Sequence, residues 1–221
     1  MSDWIDITRT LTSGMIQWPG DLPFSRQQYL EISVPGTGNV SEITTSVHAG
    51  THIEAPLHFL KEGMDITEVA LFKLCGPAIV VDIPQARDVS IEDLQSADIQ
   101  VGERVLLKTA NQYLWEKPEF DENYFAITVE AAMWLVDHNV PAVGIDYLSV
   151  DSYQNHNHPV HHALLGNGVI IIEGLDLSGA DPGHYEMVAL PLKIAGSEAS
   201  PGRVIIRRLV SQKSLPKERK Q

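Results

Sequence analysis

Five short, mostly apolar runs rich in β-branched residues set the fold class: 78–82 (AIVVD), 104–108 (RVLLK), 142–145 (AVGI), 169–173 (VIIIE) and 204–210 (VIIRRLV). Each is too short for an ordinary helix and lacks the alternation of a half-wet strand, so each reads as a buried strand. Segments with helical signals separate them. Ser90 is a candidate cap for 90–96, Thr128 caps 128–138 with Glu130 in its first turn, and 159–165 forms a third short helix. Strands alternating with helices predict an α/β chain. The first 60 residues differ, with extended pieces at 29–34 (YLEISV) and 40–48 (VSEITTSVH) and turns at PGD and PGTG, which predicts a β-rich N-terminal part.

A chain of 221 residues with 43% hydrophobic positions can bury one sizeable core. No repeat, low-complexity tract or Pro/Ser-rich linker divides it, so a single domain over 1–221 is expected, with the basic stretch 213–221 (KSLPKERKQ) as a flexible tail. Sixteen Lys and Arg against 29 Asp and Glu give a net charge of −13, which disfavours a phosphate-binding surface and hence a nucleic-acid partner. No apolar run approaches the roughly 20 residues that span a bilayer, so no membrane role is expected. The opening MSDWIDITRTL has no basic start followed by an apolar stretch, and a cytoplasmic location is the expectation. The single cysteine, Cys75, excludes an intramolecular disulfide and any Cys-based zinc motif, and its place before an apolar run predicts a buried structural thiol.

Seven of the nine histidines fall in two windows, His48, His52 and His58 in one and His156, His158, His161 and His162 in the other. In the first window His48, His52, Glu54 and His58 all stand at even positions and would share one face of an extended chain. A regular strand, however, would set His48 and His52 about 13 Å apart, too far for one ion held about 2 Å from each ring. The backbone must bend if both bind one metal, and Gly50 is the permissive residue between them; Gly50 and Pro56 also argue against a helical pair. The second window places a short helical turn bearing His161 before a strand ending at Glu173, a carboxylate that needs a buried partner. Five potential ligands result, enough for two ions sharing a bridge. His156 and His158 read as loop residues.

At these positions the chain resembles the metal-dependent cyclase-like hydrolase family, which includes bacterial kynurenine formamidases and isatin hydrolases, and the likeness to the formamidases is the stronger. The family pattern H-x-G-T-H-x-D-x-P-x-H-F stands here as His48-Ala49-Gly50-Thr51-His52-Ile53-Glu54-Ala55-Pro56-Leu57-His58-Phe59. Further matches are WPGD at 18–21, GID at 144–146, H-x-x-L-L-G at 161–166, EGL at 173–175 and SPGR at 200–203. The resemblance implies a swivelling β/β/α fold with a mixed, barrel-like sheet, and a homodimer or homotetramer. It implies that His48 and His52 bind one metal, His161 a second, and that Glu54 and Glu173 share or bridge. Zn2+ is the first expectation and Mn2+ the alternative, with one or two ions per subunit. His161 rather than His162 has the family's spacing. Trp18 would line the substrate pocket, and His58 would be the general acid/base. One position departs from the pattern: Glu54 stands where the family has Asp, and its extra methylene moves the carboxylate by more than about 1 Å, leaving the ion count open.

The chemistry this implies is hydrolysis of N-formyl-L-kynurenine to L-kynurenine and formate by metal-activated hydroxide, with His58 passing the water proton to the leaving amine. Two other readings stay open on the sequence: a hydrolase of a cyclic amide or lactone, and a noncatalytic metal-binding module. No G-x-S-x-G elbow, P-loop or G-x-G-x-x-G motif supplies the parts of a serine hydrolase, nucleotide hydrolase or dinucleotide enzyme.

Overall fold

A computed structural model describes residues 4–209, so the basic stretch 213–221 lies outside the described residues. In chain order the elements are β1 (Trp4–Asp6), β2 (Ser25–Leu30), β3 (Val40–Thr44), β4 (His52–Glu54), α1 (Leu71–Leu74), β5 (Cys75–Ile83), α2 (Ile91–Ser96), β6 (Arg104–Thr109), α3 (Val129–Asp137), β7 (Ala142–Ile145), α4 (Pro159–Gly166), β8 (Ile170–Glu173), β9 (Gly183–Pro191) and β10 (Ala199–Arg208). Short 3-10 turns occupy Pro56–His58 and Ala110–Glu116.

The apolar runs are strands, as expected. Strands β5, β6, β7 and β8 pair in parallel, and β4, β10 and β9 complete the sheet in antiparallel pairings. Because β9 pairs with both β5 and β10, seven strands close in the order β10-β4-β8-β7-β6-β5-β9, with β1 added outside on β10. The result is the mixed, barrel-like sheet that the resemblance implied.

Successive residues of a strand point to opposite faces, and here both faces are buried. Val80, Leu106, Ile172 and Met187 fill the inside of the closed sheet. Val81, Leu107, Ile145 and Ile171 meet Leu94 of α2, Leu135 of α3 and Leu164 of α4 on the outside. Local caps hold those helices. Asp93 accepts from the Ser90 backbone at 2.8 Å at the start of α2, and Thr128 Oγ1 accepts from the Ala131 N–H at 3.2 Å at the start of α3.

Three expectations need correction. The hairpin of β2 and β3 forms its own two-stranded sheet, exposed along its whole length, and β2 begins at Ser25 and ends at Leu30, so 31–34 lie beyond it. Strand β10 starts earlier than expected, at Ala199, and ends at Arg208, while Val210 is outside the described residues. Cys75 is half-buried at the edge of the inner core rather than fully buried, because it opens β5 directly after α1.

Candidate active site

The alternation that packs β4 and β8 also builds the site. Ile53 points into the closed sheet, so His52 and Glu54 turn to its outer face, and the register sets His52 opposite Glu173 and Glu54 opposite Ile171. Over this face α4 lays His161, buried in its first turn. His48 and His58 do not arrive by strand alternation, contrary to the extended-chain reading. His48 lies in a turn that reverses at Gly50 (φ +65°), and His58 ends the 3-10 turn that begins at Pro56. The bend expected at Gly50 is therefore present. Its backbone packs against Gly174, where an added Cβ would sit 2.3 Å from the Gly50 carbonyl oxygen, so the two glycines bring the His48 turn against the end of β8.

Glu54 is the hub. Its Oε1 lies 3.2 Å from His48 Nδ1, 3.4 Å from His52 Nε2 and 3.4 Å from His58 Nε2, and its Oε2 lies 3.3 Å from His161 Nε2. Glu173 closes the other side, 3.5 Å from His52 Nε2 and 3.4 Å from His161 Nε2, while its Oε1 also accepts the Val150 N–H at 2.8 Å. All six residues singled out as ligands or proton carrier thus converge. Trp18 is half-buried and lies where the resemblance implied, against the pocket. It lines the cavity of about 260 Å³ over the cluster and packs edge-on against Phe120 at 5.4 Å and Tyr124 at 6.5 Å.

The charge distribution is unusual for a buried site. Burial by itself would raise the Glu54 carboxyl, yet the His161, His48 and His52 imidazoles hold it well below the usual carboxylate range. Burial would likewise push His52 and His161 down. The Glu173 and Glu54 carboxylates reverse this for His52 and hold it at about 10, and Glu54, Asp151 and Glu173 hold His161 well above an ordinary histidine. For His58 burial prevails over the attraction of Glu54, and its proton is held less tightly than usual.

The donor set fits a divalent cation. His52 Nε2 and Glu54 Oε2 are buried without a hydrogen-bond partner, a costly state for isolated polar atoms. Two ligands each about 2.1 Å from one tetrahedral ion lie about 3.4 Å apart, which the N···O separations of 3.2–3.5 Å around Glu54 and Glu173 reproduce. Ligand atoms of His48, Glu54 and His58, and again of His52, Glu54 and Glu173, lie within 4.8 Å of one another.

The sequence missed several neighbours. His158 is a loop residue, as expected, but it also lines the cavity: it precedes α4 in a left-handed conformation (φ 46°) and has a buried Nδ1 without a hydrogen-bond partner. Its place just before Pro159, where helical backbone is disfavoured, was the available signal. Asp151, buried at 1% exposure, reaches His161 Nδ1 at 2.7 Å and had no motif to announce it. Asp21 of WPGD also lines the cavity and accepts from Ser46 Oγ at 2.9 Å, tying that loop to the turn that carries His48. His162 and His156 are exposed, in keeping with the choice of His161.

A closed mixed sheet thus carries, on its outer face and under an aromatic-rimmed cavity, a buried His/carboxylate cluster whose donors could hold a divalent cation. Comparison with known proteins agrees. The family model named Cyclase matches residues 5–152. A kynurenine formamidase of Geobacillus thermodenitrificans is 37% identical over 210 residues, covering 95% of this chain and 99% of that protein. One of Bacillus cereus is 34% identical over 206 residues, covering 93% and 98%. Among solved structures, a potential metal-dependent hydrolase with cyclase activity is 34% identical with a TM-score of 0.79, covering 94% of this chain and 98% of that one. Isatin hydrolase A of Ralstonia solanacearum shares the fold at 22% identity and a TM-score of 0.81, covering 92% and 90%. The chain belongs to the cyclase family, and it is a hydrolase.

Proposed function

We propose that the chain hydrolyses the formamide bond of N-formyl-L-kynurenine, giving L-kynurenine and formate, with a divalent cation, Zn2+ in the first instance, held by His48, His52, Glu54, His161 and Glu173. The observation that carries this reading is the convergence of four imidazoles on the two oxygens of Glu54 within 3.4 Å, on the floor of a cavity with an aromatic rim. Relatives named kynurenine formamidase, 31–37% identical to this chain, support the choice of substrate.

A cation in this cluster supplies Lewis acidity, which acidifies water and polarises a carbonyl oxygen. The chain does the rest. His58, less basic than an ordinary histidine and only partly buried, is free at neutral pH to accept the proton of the attacking water at Nε2 and to return it to the departing aryl amine. Trp18, Phe59 and Leu148 line the cavity with apolar surface against which an aromatic ring can pack while it excludes water. Exposed Tyr29, Leu30, Ile32 and Ile43 on and beside the free hairpin support self-association, and we place a second copy of the chain against them.

A substrate panel tests the assignment. N-formyl-L-kynurenine is expected to be hydrolysed with kcat/KM at least about 100-fold above that for isatin or a simple aryl lactone. Equal or greater efficiency on the cyclic amide would replace the formamidase reading, and bound metal without hydrolysis of any of the three would leave a binding module.

A further inference from the structure

Asp151 follows β7 in an irregular segment and is buried at 1% exposure beside the cluster, facing His161 from the side opposite Glu54 and Glu173. Its two oxygens do two jobs. Oδ1 accepts the Val160 N–H at 3.0 Å, and Oδ2 accepts both the His161 N–H at 2.9 Å and the His161 ring at Nδ1 at 2.7 Å. The carboxylate thus caps the first turn of α4 and grips the ring carried by that turn. Its own carbonyl accepts from Tyr124 Oη at 2.6 Å, which fixes the residue to the aromatic rim.

A carboxylate at that position can only accept, so Nδ1 of His161 must carry the hydrogen, and Nε2 is the nitrogen that points at Glu54 and Glu173. His52 is arranged alike by a different device, its Nδ1 lying 3.0 Å from the Gly50 carbonyl oxygen. A charged acceptor does more than a carbonyl, because it also makes the ring a stronger donor at its far nitrogen. We propose that Asp151 is a positioning residue: by holding Nδ1–H of His161 while capping α4, it presets Nε2 toward Glu54 and Glu173 and raises the affinity of the cluster for a divalent cation. The proposal rests on the metal reading given above.

Zinc affinity of the full chain, measured by competition with a chromogenic chelator after the metal is stripped, tests it. Asp151→Ala is expected to bind zinc about 10- to 100-fold more weakly at unchanged stoichiometry, and to lose the downfield Nδ1–H resonance of His161 that wild type shows by proton NMR. Asp151→Asn keeps an acceptor oxygen for the ring but not the charge; it is expected to retain that resonance and to bind zinc about threefold to tenfold more weakly. If Asp151→Ala does not fold, Asp151→Asn carries the test. Zinc affinity within twofold of wild type in the folded variants would overturn the proposal. Failure of the wild-type chain to take up zinc would instead overturn the metal reading, a result distinct from equal affinity in the two proteins.

Discussion

Glu54 reaches three imidazoles through one oxygen and His161 through the other, whereas His58, half-buried beside them, meets the cluster through Glu54 Oε1 and through the rings of His48 at 4.3 Å and His161 at 5.9 Å. The two positions should therefore separate metal from catalysis. His58→Ala is expected to keep most of the bound metal and lose at least about 100-fold in kcat, read by formate release and elemental analysis of the same preparation. Asp146 gives a pH prediction away from the cluster. Burial pushes its carboxyl up to about 7, although Thr109 donates to it through N–H at 2.8 Å and Oγ1 at 2.6 Å. The folded state keeps this proton up to about 7 while the unfolded chain releases it near 4, so stability is lost as pH rises through that window, by up to about 4 kcal/mol. An asparagine can accept the Thr109 N–H and donate to the hydroxyl, so Asp146→Asn should flatten the fall in urea stability between about pH 4 and 7; an unchanged slope would assign it to other groups. At this scale the sequence was legible where chemistry was dense. His48, His52, Glu54 and His58 lie within eleven residues, and their crowding alone marked them. Asp151 was invisible because a lone aspartate in an irregular segment has no period to betray it, and only the fold brings it to His161.

Strands β5 to β8 could be read from the sequence because burial on both faces leaves an unbroken apolar run. The hairpin could not be placed as well. Its strands are exposed throughout, so no buried face fixes their register, and β2 came out earlier in the chain than its most β-prone residues suggested. The short β4 was hidden for the opposite reason: only three residues long, it owes its place to the pairing of His52 with Glu173 and Pro201 rather than to propensity. The contact between the His48 turn and the end of β8 depends on two glycines. Gly174 has φ +68° as well as the close approach to Gly50, so Gly174→Ala meets both a strained backbone and a steric clash. We expect it to lower urea stability by about 2–4 kcal/mol and to weaken metal binding with it. Stability within about 0.5 kcal/mol of wild type would show that the turn can move away freely.

For the molecule as a whole, closure of the sheet through β9 and β10 makes the site a product of long-range pairing. His52 and Glu54 meet Glu173 only because β4 is inserted between β8 and β10. The free hairpin is the one part of this architecture with no neighbouring strand among the described residues, and a two-stranded ribbon is marginal alone. Sedimentation should show a dimer or tetramer, and replacing Tyr29 and Ile43 by lysine should shift it toward monomer; a monomeric wild type would remove the partner assigned to this face. Neither the hairpin's isolation nor the closure was legible from composition, since both depend on which strands find each other. The central claim, that the cluster around Glu54 is a metal-dependent amide-hydrolysing centre, meets its most direct test in one preparation. Metal content is measured, the chain is stripped with a chelator, and hydrolysis of N-formyl-L-kynurenine is followed before stripping, after it, and after adding back Zn2+ or Mn2+ alone. One or two divalent ions per chain, activity lost on stripping and activity restored by one of the two ions is the predicted result. Full activity in the metal-free chain would contradict it.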